Sequence, residues 1–117
     1  MSFFDRQPIF YEGEELSLYI HSECYKDLKK SGVLLKVLAR LKKICDTKNF
    51  GKPKEGFKFF EKENLGWLKW PDGTRVYYSL FDDCRIMVTL RSGSKNKQAQ
   101  DIKKAKEYLN EIKKEEK

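Results

Sequence analysis

Four cations in the second half of the chain are spaced so that they could act together on a phosphate: Lys69, Arg75, Arg91 and Lys95. Lys69 closes the apolar run "LGWLKW" just ahead of a "PDG" turn. Arg75 opens the run "TRVYYSLF" just after that turn. Arg91 closes the next run, "CRIMVTLR", and Lys95 lies just beyond it. Arginine offers a planar fork matched to phosphate oxygens, and several cations around one phosphate stabilise the charge that builds on a phosphorane-like transition state. They also depress one another's pKa, which can leave a lysine neutral enough to serve as a base. On RNA the internal nucleophile is the 2′-hydroxyl, so such a site would cut without metal and leave a 2′,3′-cyclic phosphate and a 5′-hydroxyl. For each cation taken singly the competing reading is an ordinary solvated surface residue.

The three runs are read as strands of an antiparallel meander, because short polar turns separate them. In the middle strand Val76, Tyr78 and Leu80 alternate with Arg75, Tyr77 and Ser79. In the next, Ile86, Val88 and Leu90 alternate with Met87, Thr89 and Arg91. In an antiparallel meander the end of the first strand, the start of the second and the end of the third lie together, so Lys69, Arg75 and Arg91 should converge at one end of the sheet. "TLRSGSKNKQAQDI" is the hinge there: Gly93 permits a turn, Ser94 or Asn96 caps a helix, and Ala99, Ile102, Ala105, Leu109 and Ile112 form that helix's apolar stripe.

Upstream, "LSLYIHS" alternates as a half-buried strand. Ser22 is the expected N-cap of a short helix ended by Gly32, and "VLLKVLARLKKIC" is a second, amphipathic helix. From Cys24 to Lys48 there are eight basic and two acidic residues, which offers Arg40 and its neighbours to a phosphate backbone. The segment from Asp46 to Asn64 reads as a turn-rich loop carrying Lys52, Lys54 and Lys58. Residues 1–15 read as an aromatic arm with Pro8 and a short edge strand. The order strand, helix, helix, three strands, helix makes an α+β domain, and 117 residues suit one domain spanning 1–117.

A net charge of +7 points to a polyanionic partner such as nucleic acid or ribosome. Three widely spaced cysteines and the lone His21 argue against a disulfide framework, a structural metal site and a histidine-pair nuclease. No membrane-length apolar stretch and no signal pattern is present, so a cytoplasmic protein with no membrane partner is expected. P-loop, nucleophile-elbow and H-E-x-x-H motifs are absent. No cofactor and no metal is expected.

The segment "RVYYSLFDDCRIMVTLRSGSKNKQAQDIKKAKEYL" resembles the HigB-like (phage Gp49-like, addiction module killer) branch of the RelE/ParE toxin superfamily. That branch shows an R-V-Y-[FY] strand and then G-x-K-x-x-Q-x-x-D-I-x-x-A-K, which here reads Gly93, Lys95, Gln98, Asp101, Ile102, Ala105 and Lys106. "KNFGKPK" resembles the branch's N-F-G-x-x-K loop and "HSECYKDLKK" its strand-to-helix start, so the resemblance spans residues 16–112. It implies a RelE-like fold, a small antiparallel-dominated sheet with two N-terminal helices on one side and a C-terminal helix. It implies the toxin of a type II toxin–antitoxin system, an mRNA endoribonuclease active on the ribosome and neutralised by a cognate antitoxin. Arg75 matches the arginine used on the scissile phosphate, and Lys95 the basic position before the last helix. Lys69 stands where the branch has arginine, which keeps the charge and loses the fork. Either Lys54 or Lys58 matches the loop lysine. The extra arm to Glu15 departs from the pattern, and a C-terminal histidine or tyrosine beside the site is not evident, which leaves the acid and base unassigned. Two other functions stay open: a ParE-like DNA gyrase inhibitor without nuclease activity, and a non-toxic RNA- or protein-binding homologue whose activity has decayed.

Overall fold

The computed structural model describes residues 3–51, 56–81, 83 and 85–115. In chain order the elements are α1 (Phe3–Arg6), β1 (Tyr11–Glu12), β2 (Ser17–Ile20), α2 (Ser22–Lys30), α3 (Leu34–Thr47), β3 (Phe57–Phe60), β4 (Leu65–Lys69), β5 (Thr74–Phe81), β6 (Ile86–Ser94), a 3-10 turn (Lys95–Lys97) and α4 (Gln98–Glu115). The strands form one six-stranded sheet in the order β1-β2-β6-β5-β4-β3. β2 runs parallel to β6 in the register Leu18 to Met87, and the other pairs are antiparallel.

Alternation along the strands sorts side chains into two cores. Leu18, Ile20, Leu68, Val76, Tyr78 and Met87 meet the apolar stripes of α2 and α3 on one face. Tyr19, Leu65, Tyr77, Val88 and Leu90 meet Ala105, Leu109 and Ile112 of α4 on the other. The middle of the sheet is therefore covered on both sides, as a strand in parallel pairing usually is. Leu18, Tyr19 and Ile20 are all buried, which corrects the half-buried reading of β2.

Three further expectations are corrected. The small RelE-like sheet is not what forms, although four of the five strand pairings are antiparallel and α2 and α3 share a face. The sheet is six-stranded and mixed, because β2 inserts between β1 and β6, a long-range pairing that local turn residues do not encode. Phe57–Phe60 is an edge strand paired to β4 and not part of a loop, so the meander has four strands and Lys58 sits on one of them. Gly93 lies inside β6 and has no positive φ, so it does not make the turn. The turn glycine is Gly73, at φ +95°, between β4 and β5.

The arm of residues 3–16 is tied down at both ends. Tyr11 donates its hydroxyl to Asp46 at 2.9–3.0 Å, and the amides of Glu15 and Leu16 both donate to the Cys45 carbonyl. At the other end Phe3 stacks on His21 at 6.2 Å, and His21 stacks on Tyr108 of α4 at 4.2 Å. His21, and not Ser22, caps α2: its Nδ1 accepts the Glu23 amide at 3.2 Å. That bond requires an unprotonated Nδ1.

Burial is the largest influence on His21 and lowers its pKa below the ordinary 6.5, against the opposing charges of Glu111 and Glu23. Folding thus favours the neutral ring. Its stabilisation is complete above 6.5 and is lost as pH falls from there through the lowered folded value. Between about pH 7.5 and about pH 5.5 the thermal midpoint of the wild type should fall, by the equivalent of at most about 1.4 kcal/mol, the most that one such group contributes over that range. His21→Asn, which caps without titrating, should start lower for want of the ring stack and lose this component of the pH dependence. Equal slopes in the two proteins, measured by thermal denaturation across that range, would show that His21 is not the titrating cap.

Candidate functional site

The sheet end formed by the close of β4, the start of β5 and the close of β6 is where the expected cations come together in backbone terms. Lys69 is the direct cross-strand partner of Arg75, Arg75 is the partner of Gly93, and Thr74 is the partner of Ser94. Lys95 follows Ser94 at the start of the 3-10 turn, one residue beyond the pair Thr74–Ser94. Cross-strand partners share a face, so Lys69 and Arg75 point to the α4 side, together with Trp67 and Tyr77. Lys69 is exposed; Arg75 is only 6% exposed, and its Nε has no hydrogen-bond partner.

Arg91 is placed differently from its neighbours in sequence. A bulge at Leu90 sets Arg91 opposite Tyr77 while Thr89 faces Tyr78, and a bulge of this kind re-aims the side chain that follows it. β2 has ended by this point, its last pair being Ile20–Thr89. The Arg91 guanidinium lies at the freed edge of β6 and meets a carboxylate from each side: Asp101 of α4 at 3.0 Å and Asp27 of α2 at 3.4 Å. Burial works to lower its pKa, but the Asp101 hydrogen bond and the charges of Asp101 and Asp27 outweigh it and leave it raised. Arg91 is a structural cation already neutralised, not one left over for a phosphate.

Asp101 is the residue that sequence reasoning undervalued. It is 1% exposed, its Oδ1 accepts from Arg91, and its Oδ2 has no partner. It enters the sheet over Gly93, where a Cβ would stand 1.7 Å from Oδ2. Gly93 is thus needed for close approach of a carboxylate. Tyr77, fully buried and with an unpartnered hydroxyl, feels both charges: burial and Asp101 push its pKa up, and Arg75 opposes them. Arg75 Nε, Tyr77 Oη and Asp101 Oδ2 are three unpartnered polar atoms on one face of the β5–β6 pair. Tyr78 Oη is a fourth, on the opposite face of the sheet.

A cleft of about 360 Å³ is lined in part by Arg91, Lys30 and Lys97 and by Asp27, Asp72 and Asp101. Of its lining carboxylates, Asp27 and Asp101 both pair with Arg91 and Asp72 pairs with Lys36, so none of the three is left for Lys30 and Lys97. Asp72 is held down to about 2, first by its hydrogen bond from Lys36. The cleft thus carries two exposed lysines, Lys30 and Lys97, that its own carboxylates do not neutralise.

The remaining expected contacts divide. Arg40 donates to the Lys69 carbonyl at 2.7 Å and the Gly56 carbonyl at 3.0 Å and stacks over Trp70 at 4.6 Å, so it braces α3 against the end of β4. Burial lowers its pKa. Lys58 is exposed on β3 with its ammonium 5.0 Å from the Phe60 ring and 5.7 Å from the Trp67 ring. Lys52 and Lys54 lie outside the described residues, as does the Lys95 side chain. Ser94 makes no side-chain cap to the 3-10 turn. Cys24 and Cys45 are buried thiols pushed up to about 12 by burial, which makes them poor nucleophiles. Among the described residues no three His, Cys, Asp or Glu side chains gather as a metal-ligating group. No helix among them is long and apolar enough to cross a membrane.

No protein-family model matches the chain, and no curated protein matches it. Among solved structures it is similar to the conserved hypothetical protein HP0892 from Helicobacter pylori, with a TM-score of 0.52 and 17% identity, covering 71% of this chain and 98% of that one. At that identity the likeness is one of fold alone.

Gly93→Ala should evict Asp101 from the sheet and break its pair with Arg91. The expected loss, read from urea unfolding, is roughly 2–4 kcal/mol, short of the full penalty of a wholly buried pair because Arg91 keeps part of its surface in water. Asp101→Asn should cost a comparable amount with no steric change. Gly93→Ala at wild-type stability would show that the carboxylate does not need this approach.

Proposed function

We propose that this protein is a metal-free endoribonuclease that cuts mRNA at the ribosome, the cytoplasmic toxin of a type II pair held in check by a cognate antitoxin. The observation that carries the reading is the direct pairing of Lys69 with Arg75 at an open sheet end. Lys69 is exposed there, and its cross-strand partner Arg75 is buried with its Nε unpartnered. The resemblance of residues 75–106 to the toxin branch supports the same assignment, and so does the net charge of +7.

In this reading the 2′-oxygen attacks the adjacent phosphorus, the new O2′–P bond forms and the P–O5′ bond breaks. The 2′-hydroxyl proton is lost and the departing O5′ gains one. Arg75 and Lys69 would bear on the non-bridging oxygens as charge accumulates there, which is where pre-set donors contribute most. Lys95 follows in the chain at the same sheet end. Arg91, matched by two carboxylates, would hold the helices that frame the corner and would not contact the phosphate. Gyrase inhibition would need no such cation pair, and nothing in the geometry favours it.

Lys69→Ala, at an exposed position, should leave the thermal midpoint unchanged. It should cut both growth inhibition on induction and mRNA cleavage seen by primer extension, by at least about tenfold. Arg75→Ala should abolish them, a loss on the order of 10²–10³-fold for a transition-state donor, with folding checked by circular dichroism because Arg75 is buried. Undiminished cleavage in both variants would contradict the site. Normal growth on overexpression of the wild type without any antitoxin would contradict the toxin reading and favour the decayed homologue.

A further inference from the structure

α4 covers β5, β6 and Leu65 at the start of β4, but leaves the rest of the β3–β4 half of the same face open. The side chains that register brings together there are Lys58 and Phe60 from β3 and Trp67 and Lys69 from β4. Phe60 is 36% exposed. Its ring centroid lies 5.4 Å from that of Trp67, and Trp67 is backed in turn by Tyr77 at 6.4 Å. The pair is thus an aromatic surface held from behind by the core, with a lysine at each end.

We infer that this open half-sheet is a stacking platform for single-stranded nucleic acid, with bases on Phe60 and Trp67 and the phosphates tracked by Lys58 and Lys69. Three features point to this occupant. Aromatic rings on a sheet surface accept unpaired bases irrespective of sequence. Lys69 lies two residues beyond Trp67 on the same strand face, roughly 7 Å at the rise of a β-strand, which is of the order of one nucleotide of extended backbone. The charge is complementary: Lys58 and Lys69 are exposed, and Glu63 in the adjoining turn is already paired with Lys106 at 3.5 Å. Lys58 now rests over the two rings. Such an exposed cation–ring contact is worth about two- to fivefold in an equilibrium, whereas base stacking on an aromatic side chain is worth about 5- to 150-fold per base. A base that displaces the ammonium and sends it to a phosphate therefore gains on balance.

The platform leads along β4 to Lys69 and so to Arg75. That the strand it holds is the RNA to be cut rests on the ribonuclease reading above; that it holds a strand at all does not.

The test uses the full-length protein and a short unstructured oligoribonucleotide with 2′-O-methyl groups, which blocks cleavage by internal attack and separates binding from chemistry. Binding is followed by fluorescence anisotropy over a salt series. Phe60→Ala and Trp67→Ala should each weaken binding about 5-fold or more without changing the salt dependence, and Trp67→Phe should restore most of it. Lys58→Gln and Lys69→Gln should each reduce the slope of log K against log salt by about 0.7, one phosphate contact. Because Trp67 is half-buried, Phe60→Ala at the edge guards against a folding artefact. Unchanged affinity in Phe60→Ala, or in a folded Trp67→Ala, would overturn the platform, as would equal losses on a duplex of the same sequence, or no binding to any strand at low salt. A DNA strand of that sequence distinguishes the two sources of bases and phosphates. Weaker binding of DNA assigns the platform to the proposed RNA substrate; equal or tighter binding keeps the platform and overturns that assignment. Stacking losses in a protein that never cuts unmodified RNA would uphold the platform while the nuclease reading falls.

Discussion

The pairing of one arginine with two carboxylates holds one end of this molecule together. Arg91 sits where β2 has ended and the edge of β6 is free, and it joins Asp27 of α2 to Asp101 of α4. These helices pack on opposite faces of the sheet, so the interaction fixes the two layers relative to each other at the one corner where no strand separates them. It depends on two further concessions from the backbone. The bulge at Leu90 brings Arg91 into line with Tyr77, and the missing side chain of Gly93 lets the Asp101 carboxylate lie against the strand. Moving any of these would shift the start of α4 and, with it, the frame around Arg75.

That arrangement divides the cations into two kinds. Arg91 and Arg40 are engaged, one by carboxylates and the other by two backbone carbonyls and the Trp70 ring. They are arginines, whose rigid forks suit fixed partners. Lys58 and Lys69 stand exposed on the open half of the sheet, as mobile point charges suited to a phosphate chain of variable path. Arg75 lies between the two kinds: buried like a structural residue, yet with an Nε that nothing answers. A side chain that incurs the cost of burial without completing its hydrogen bonds is what a site of preorganised charge looks like.

Much of this was legible in the residues themselves. Turn chemistry at "PDG" and strict alternation in "TRVYYSLF" were enough to set Lys69 beside Arg75, and the helix stripes placed α3 and α4. What escaped is physical in origin. The parallel register of β2 on β6 joins residues about seventy positions apart in sequence and has no local signature. β3 was hidden because "FKFF" is short and lies among turn residues, although its alternation of exposed and half-buried positions is that of an edge strand. Simple alternation put Arg91 with Thr89, and the bulge undid it. Asp101 stood out in the sequence only as one position of the G-x-K-x-x-Q-x-x-D-I pattern; its role came from the glycine eight residues earlier, a clue readable only once β6 and α4 are known to cross there.

The most direct test of the central claim is the chemistry of the RNA ends left after induction of the protein in cells. Attack by the 2′-hydroxyl under Arg75 and Lys69 requires fragments ending in a 2′,3′-cyclic phosphate and beginning with a 5′-hydroxyl, and these should vanish in Arg75→Ala. Fragments carrying a 5′-phosphate, or mRNA that stays intact while growth stops, would contradict it.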